Sequence, residues 1–147
     1  MSRTQLLDRE VGQAMTALSA AAKRGFGDPV LAELVMIRAS QLNHCAFCLD
    51  MHLRVARANG ESEDRLQLLD AWEETGGLYS ERERAALRLT ESVTLLTDGF
   101  VPDAVYDTAA RHFGGRELAH LIGLITVINS WNRLMVSRRV PPGGNQP

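Results

Sequence analysis

Apolar side chains recur every three or four positions along most of the chain, which is the spacing of one face of an α-helix. The first such stripe lies near the N-terminus, and Gly25 and Gly27 after it predict the end of a first helix. Asp28 and Pro29 are typical of an N-cap followed by proline at the first helical position. The first stripe consists of Leu6, Leu7, Val11, Met15 and Leu18.

The same spacing continues to the end of the chain and predicts a series of further helices. None of the apolar runs alternates with period two, and none is joined to another by a hairpin turn, so the sequence predicts an all-α fold. The expected helices run from about Val30 to Gln41, from His44 to Ala58 with Asn43 as N-cap, from Ser62 to about Trp72, from a Ser80–Glu83 capping box, from Pro102 to Gly114, and from about Arg116 to Arg138.

Length and composition narrow the class of protein. A chain of 147 residues with 45% hydrophobic and 5% aromatic side chains suits one helical domain, expected over residues 1–147. The tail from Pro141 to Pro147 has few apolar groups, so we expect it to be loose. A net charge of −2, with arginines interleaved among acidic residues, argues against a nucleic-acid partner.

Targeting signals are not apparent in the sequence. The first eight residues carry Arg3 and Asp8 and lack an apolar segment, which argues against a signal peptide. Polar residues interrupt the longest apolar stretch, Leu118 to Val136, so no membrane span is expected. We therefore expect a cytoplasmic protein, in a compartment that keeps thiols reduced.

The two cysteines of the sequence, Cys45 and Cys48, stand three positions apart. With Asn43 as the cap, both would lie in the first turn of a helix, where free N–H groups and the helix dipole stabilise a thiolate. His52 follows one turn later on the same face and can hold or accept a proton. Glu33 lies on the preceding helix and would approach the first cysteine if the two helices fold together.

Other interpretations of the pair remain open. The pair is also compatible with half of a zinc site, or with two small buried apolar residues. A structural zinc site usually draws a second ligand pair from a distant segment, and no second C-x-x-C or H-x-x-x-H is present. Thiol redox chemistry is the favoured interpretation, and no metal, flavin or haem cofactor is implied.

At these residues the chain resembles the alkylhydroperoxidase D-like (AhpD-like) group of the carboxymuconolactone decarboxylase superfamily. The resemblance rests on Glu33 followed by Cys45-x-x-Cys48-x-x-x-His52, and on flanking segments that agree in order and spacing. These flanks are residues 38–43, 46–52, 81–87 and 128–133. This chain departs from some members of the family at one position. Those members have a histidine between the two cysteines, where this chain has Phe47.

The resemblance implies an AhpD-like helical fold with the cysteine motif in a helical hairpin, and a homo-oligomer that is a trimer or hexamer. It also implies that Cys48 is the attacking thiol, that Cys45 is its disulfide partner, and that Glu33 and His52 relay protons. The implied activity is a thiol-dependent peroxidase that takes electrons from a dithiol or a lipoylated protein.

Three other functions compete with this expectation. The same cysteines would serve a thiol–disulfide reductase or adaptor for a partner protein, without turnover of peroxide. A zinc-stabilised structural protein would lose thermal stability under a chelator. Lactone decarboxylation is disfavoured, because the decarboxylase branch of the superfamily generally lacks the cysteine pair.

Overall fold

The computed structural model describes residues 1–143 and confirms the predicted all-α fold. Over these residues the chain forms α-helices and short 3₁₀ turns, with no β-strand. The helices are α1 (Arg9–Phe26), α2 (Pro29–Leu42), α3 (Ala46–Ala58), α4 (Glu63–Leu68), α5 (Glu81–Thr94), α6 (Asp103–His112) and α7 (Gly115–Arg138), and the 3₁₀ turns are Arg3–Gln5 and Leu69–Glu74. The predicted loose tail falls mostly on residues 144–147, which lie outside the described residues.

Side-chain caps mark several helix starts and confirm those predicted at Asp28, Ser62 and Ser80. Asp8 and Asp28 accept hydrogen bonds from the first backbone N–H groups of α1 and α2. Ser62 caps α4 in the same way, and Ser80 forms the expected capping box with Glu83 at the start of α5. These caps satisfy donors that have no partner within the helix, so the local sequence defines where each helix begins.

Two predicted helix ends, those of α1 and α4, are wrong. Gly25 does not end the first helix but lies inside α1, which ends at Phe26 with Gly27 in the left-handed conformation at φ 71°. The helix predicted from Ser62 to Trp72 ends at Leu68 and continues as a 3₁₀ turn, in which Ala71 departs from helical geometry.

Gly25 is required by the approach of α1 to α7. A Cβ atom at this position would lie 1.8 Å from Cδ2 of His120, inside the imidazole ring. The ring is oriented by a 2.8 Å hydrogen bond between its Nδ1 and the carbonyl oxygen of Arg116. Glycine is therefore used here for close packing between two helices.

Helix α2 lies at the centre of the fold. Every residue from Leu31 to Ser40 is buried, and the helix packs against α1, α3, α5 and α7. A helix that is apolar on nearly all sides is stable only when neighbours cover every side. Two ionisable residues, Glu33 and Arg38, are nevertheless buried in it.

The apolar stripe predicted for α1 is only partly buried. Met15 packs against the main core, whereas Leu6, Val11 and Leu18 are 65%, 48% and 45% exposed. Polar residues on α1 face the region between α3 and α7 and are described below.

Candidate active site

The cysteine motif lies at a tight turn between α2 and α3, which confirms the predicted helical hairpin. Helix α2 ends at Leu42, and His44 adopts the left-handed conformation at φ 52°. The backbone N–H of Cys45 then donates to the carbonyl oxygen of Ser40 at 3.0 Å, which returns the chain over the end of α2.

The prediction that Asn43 caps the second helix of this hairpin is wrong. Asn43 is the C-cap of α2, and Cys45 is the N-cap of α3, with its Sγ accepting a 3.4 Å hydrogen bond from the backbone N–H of Cys48. The Asn43 side chain points to α7 and donates to Asn129 and Asn132, each at 2.9 Å. The helix therefore begins two residues later than predicted, but both cysteines still lie in its first turn.

Cys45 and Cys48 form a disulfide and are almost completely buried, with 1% and 2% of their surfaces exposed. On reduction, a thiolate at either position lies beside the unpaired N–H groups at the start of α3, where the helix dipole favours negative charge. The location at a helix N-terminus is the common setting for a reactive cysteine.

Glu33 and His52 meet in the interior of the hairpin. The Nδ1 atom of His52 lies 2.7 Å from Oε2 of Glu33, and both side chains are buried. Antiparallel packing of α2 against α3 brings the two residues together across the hairpin. Among the described residues, the hydrogen-bond and ion-pair partners of Glu33 are His52 and Lys23, and neither cysteine is one of them.

Lys23 of α1 completes this group of charged side chains. Its Nζ lies 3.5 Å from Oε1 of Glu33, the carboxylate oxygen that does not bind His52. The sequence reasoning missed this residue, although Lys23 is the only lysine in a chain whose other basic side chains are arginines. A single lysine among arginines makes position 23 distinctive in the sequence. Only tertiary packing, however, brings Lys23 into contact with Glu33.

A cavity of about 210 Å³ opens beside these residues. Cys48 and His52 line it, whereas Cys45 does not, so the second cysteine is the one that faces the cavity. The rest of the wall is mainly apolar, and its polar groups come from one face of α1. The lining residues are Thr16, Ser19, Lys23, Met36, Phe47, Cys48, Met51, His52, Leu124, Val127, Trp131 and Met135.

A buried polar network holds the hairpin turn against α7. Asn132 accepts from Asn43 and donates from its Nδ2 to Oγ of Ser40 at 3.0 Å. Asn129 also accepts from Asn43, and it donates to Oγ1 of Thr94 at 2.9 Å. These hydrogen bonds explain the polar residues on an otherwise apolar helix, and they fix the turn that carries Cys45.

Trp131 forms part of the cavity wall between α1 and α7. Its indole N–H donates to Oγ of Ser19 at 2.8 Å, and the ring packs against both apolar clusters of the core. The side chain therefore holds the two helices at a set distance beside the cavity.

Residues 1–143 contain neither a membrane-spanning helix nor a cluster of metal-ligating side chains. No helix in this range is both long enough and apolar enough to cross a membrane. No group of three or more histidine, cysteine, aspartate or glutamate side chains in the same range is placed to hold a metal ion.

The fold and the cysteine hairpin together define an AhpD-like helical protein. A family model for the carboxymuconolactone decarboxylase family matches residues 9–92. The chain belongs to this family.

Two curated relatives support the assignment. The chain is 45% identical over 105 residues to YdfG of Bacillus subtilis strain 168, an uncharacterized protein, and the match covers 71% of each chain. It is 34% identical over 123 residues to the uncharacterized YnjA of Escherichia coli K12, across 83% of this chain and 66% of YnjA.

Solved structures agree on the fold. ATU0492 from Agrobacterium tumefaciens matches with a TM-score of 0.89 and 33% identity over 94% of both chains. It is described as a protein of unknown function and as a candidate for the antioxidant defence protein AhpD. An uncharacterized peroxidase-related protein from Silicibacter sp. TM1040 has a TM-score of 0.75 at 18% identity, over 93% of this chain and 72% of that one, which supports the fold alone.

Proposed function

We propose that the protein is a thiol-dependent peroxidase of the alkyl hydroperoxide reductase type. The observation that carries the proposal is the placement of Cys48 and His52 on the wall of one cavity, with Glu33 hydrogen-bonded behind the imidazole. A nucleophile, a base and a group that orients the base are the minimum set for an activated thiol. The description of ATU0492 as a candidate antioxidant protein supports the same activity.

In the proposed reaction, His52 accepts the proton of the Cys48 thiol while Glu33 holds the ring through Nδ1. The thiolate attacks the terminal oxygen of a hydroperoxide, the O–O bond breaks, and Cys48 becomes a sulfenic acid. The departing alkoxide takes the proton from His52 and leaves as an alcohol. The Cys45 thiol then attacks the sulfur of the sulfenic acid, which forms the Cys45–Cys48 disulfide and releases water.

The oxidised enzyme is reset by an external dithiol through thiol–disulfide exchange. Because both cysteines are almost completely buried, the reductant must reach Cys48 through the cavity. A small dithiol, or the dithiol arm of a lipoylated protein, meets that requirement better than a cysteine on the surface of a folded partner. The reducing cytoplasm would supply such donors.

The chemistry of the cavity favours an organic hydroperoxide over hydrogen peroxide. Apolar side chains form most of its wall, among them Met36, Phe47 and Trp131. Burial of an alkyl or aryl body against such a wall contributes about 25 cal/mol for each Å² of apolar surface removed from water. Hydrogen peroxide offers no such surface, so we expect a lower kcat/KM for it.

The expected homo-oligomer has support from exposed apolar side chains. Val11 and Leu18 on α1 and Val136 on α7 are 48%, 45% and 39% exposed. Apolar side chains grouped on one part of a surface are typical of a contact between subunits. We propose a trimer or hexamer, which light scattering coupled to size-exclusion chromatography would test.

The decisive experiment measures consumption of cumene hydroperoxide with dithiothreitol as reductant. We expect turnover in the wild type, no turnover in Cys48→Ser, and a trapped sulfenic acid in Cys45→Ser. As a matched control, Ser130→Ala changes a hydroxyl that bonds within α7 and should retain wild-type turnover.

The reductase or adaptor alternative predicts a different result. The wild type would form and exchange the disulfide readily but would not consume peroxide. That outcome would overturn the peroxidase proposal.

A further inference from the structure

Lys23, Glu33 and His52 form a continuous chain of ionisable side chains contributed by three helices. The ammonium of Lys23 lies 3.5 Å from one oxygen of Glu33, and His52 Nδ1 lies 2.7 Å from the other. Glu33 is buried, so these two contacts replace the water that a carboxylate normally binds. The side chain of Lys23 is 43% exposed, and it reaches Glu33 from the wall of the cavity.

We propose that Lys23 is a positioning residue that holds Glu33 as a fixed carboxylate acceptor, so that His52 is the group that exchanges a proton with Cys48. This inference deepens the proposed function and concerns the same site. It assigns Glu33 an orienting role, in contrast to a relay in which both Glu33 and His52 carry the proton.

The geometry gives the physical reason. A carboxylate that accepts from Nδ1 requires the tautomer or charge state in which Nδ1 carries a hydrogen. In neutral imidazole this leaves Nε2 as the proton acceptor, and His52 lines the same cavity as Cys48, one turn further along α3. The Lys23 ammonium on the second carboxylate oxygen holds the Glu33 side chain in the orientation that accepts from His52.

The choice of lysine fits this role. Lysine is a compact point charge on a flexible stem, whereas arginine presents a wide planar fork. The chain uses arginine for its other basic side chains, and its single lysine lies at the cavity.

The other helices around the cavity contribute few charges that compete with Lys23. Helix α7 lines the cavity with Leu124, Val127, Trp131 and Met135, which are uncharged. On α7, His120 packs against Gly25 of α1 and bonds to its own helix. Within the described lining, the charge at the cavity is therefore set by Lys23, His52, Cys48 and the adjoining Glu33.

Removal of a positive charge makes each proton in such a coupled cluster harder to lose. We therefore expect Lys23→Met to move the formation of the Cys48 thiolate to higher pH. Mutations of residues in one hydrogen-bond network commonly couple by factors of roughly two to a hundred. Glu33 and His52 stand between Lys23 and Cys48, so we expect an effect of roughly fivefold.

The test is the rate of iodoacetamide alkylation of Cys48 as a function of pH, measured in a reduced Cys45→Ser background. We expect Lys23→Met to raise the pH midpoint and to lower the rate near neutral pH roughly fivefold. Lys23→Arg, which keeps the charge, should move the midpoint back toward that of the background protein. The control is Arg24→Met, which removes the same charge from the adjacent exposed position of α1 and should leave the profile unchanged.

Two results would overturn the inference: a Lys23→Met profile that superimposes on that of the background protein, or equal shifts in Lys23→Met and Arg24→Met. If Lys23→Met does not fold, Lys23→Gln in the same assay decides by the same criteria. The readout needs no peroxide. A shifted profile without peroxide turnover in the wild type would therefore refute the proposed function and leave the role of Lys23 standing.

Discussion

His52 Nδ1 lies 2.7 Å from Oε2 of Glu33, although the two residues belong to different helices and are separated by 19 positions in the sequence. Both side chains are buried, so the contact excludes water and orients the imidazole. A buried carboxylate is costly unless its oxygens are paired, and here His52 and Lys23 each pair one oxygen. Glu33 is buried inside the hairpin, whereas His52 also lines the cavity that Cys48 faces.

The first prediction concerns the negative charge of Glu33. The change Glu33→Gln keeps the shape of the side chain but removes the charge that holds the imidazole. Since a positioned base contributes about 10²–10⁴-fold to catalysis, we expect kcat/KM for cumene hydroperoxide to fall about 10- to 100-fold. Steady-state kinetics at saturating dithiothreitol would measure the fall.

Glu10→Gln is the matched control for this variant, because Glu10 is an exposed glutamate on α1. Its kcat/KM should equal that of the wild type. Wild-type activity in Glu33→Gln would show that the negative charge of Glu33 is irrelevant to turnover.

The second prediction concerns the polar network at the hairpin turn. Asn132→Ala removes the partner of Ser40 and one of the partners of Asn43 in a buried setting. Buried groups left without a hydrogen bond cost about 1–3 kcal/mol, so we expect the free energy of unfolding to decrease by that amount. Urea denaturation followed by circular dichroism would measure it, and an unchanged midpoint would contradict the prediction.

The third prediction concerns the close approach of α1 and α7. Gly25→Ala places a methyl group where the ring of His120 lies, and overpacking of this kind costs about 1–3 kcal/mol. His120→Ala in the same chain should relieve most of that cost. A double-mutant cycle on the free energies of unfolding checks the coupling, and purely additive effects would refute the contact.

The fourth prediction concerns the pH dependence of stability. Burial alone would raise the pKa of Glu83, but hydrogen bonds from Arg65 and Ser80 and the charge of Arg65 outweigh burial and lower it. A carboxyl whose pKa is lowered by folding stabilises the protein above its unfolded pKa, and this contribution is lost as the pH falls through the folded value. We expect Glu83→Gln to cost about 1 kcal/mol near neutral pH, and the difference from wild type to shrink in acid.

Urea denaturation at about pH 7 and at about pH 3 would measure this difference. Glu81→Gln, which changes an exposed glutamate two positions earlier in α5, serves as the control. A cost for Glu83→Gln that stays constant across this range would contradict the assigned role of the Arg65–Glu83 pair.

The helices and the cysteine hairpin were predictable because their determinants are local. Caps such as Asp28 and Ser80 satisfy the first N–H groups of their own helices, and the spacing of Cys45 and Cys48 places both in one turn. The N-cap of α3 was misassigned because Asn43 suits a cap equally well by residue type. Its side chain is instead bound by Asn129 and Asn132, more than eighty positions away.

The sequence by itself determined the all-α class, most helix starts, and the grouping of Cys45, Cys48 and His52, since each depends on residues within a few turns of one another. Tertiary structure decided the rest: that Glu33 pairs with His52, that Lys23 joins them, and that Cys48 faces the cavity. These relationships depend on how α1, α2 and α3 pack together. Packing geometry is set by the summed contacts of whole helix faces, and no local pattern encodes it.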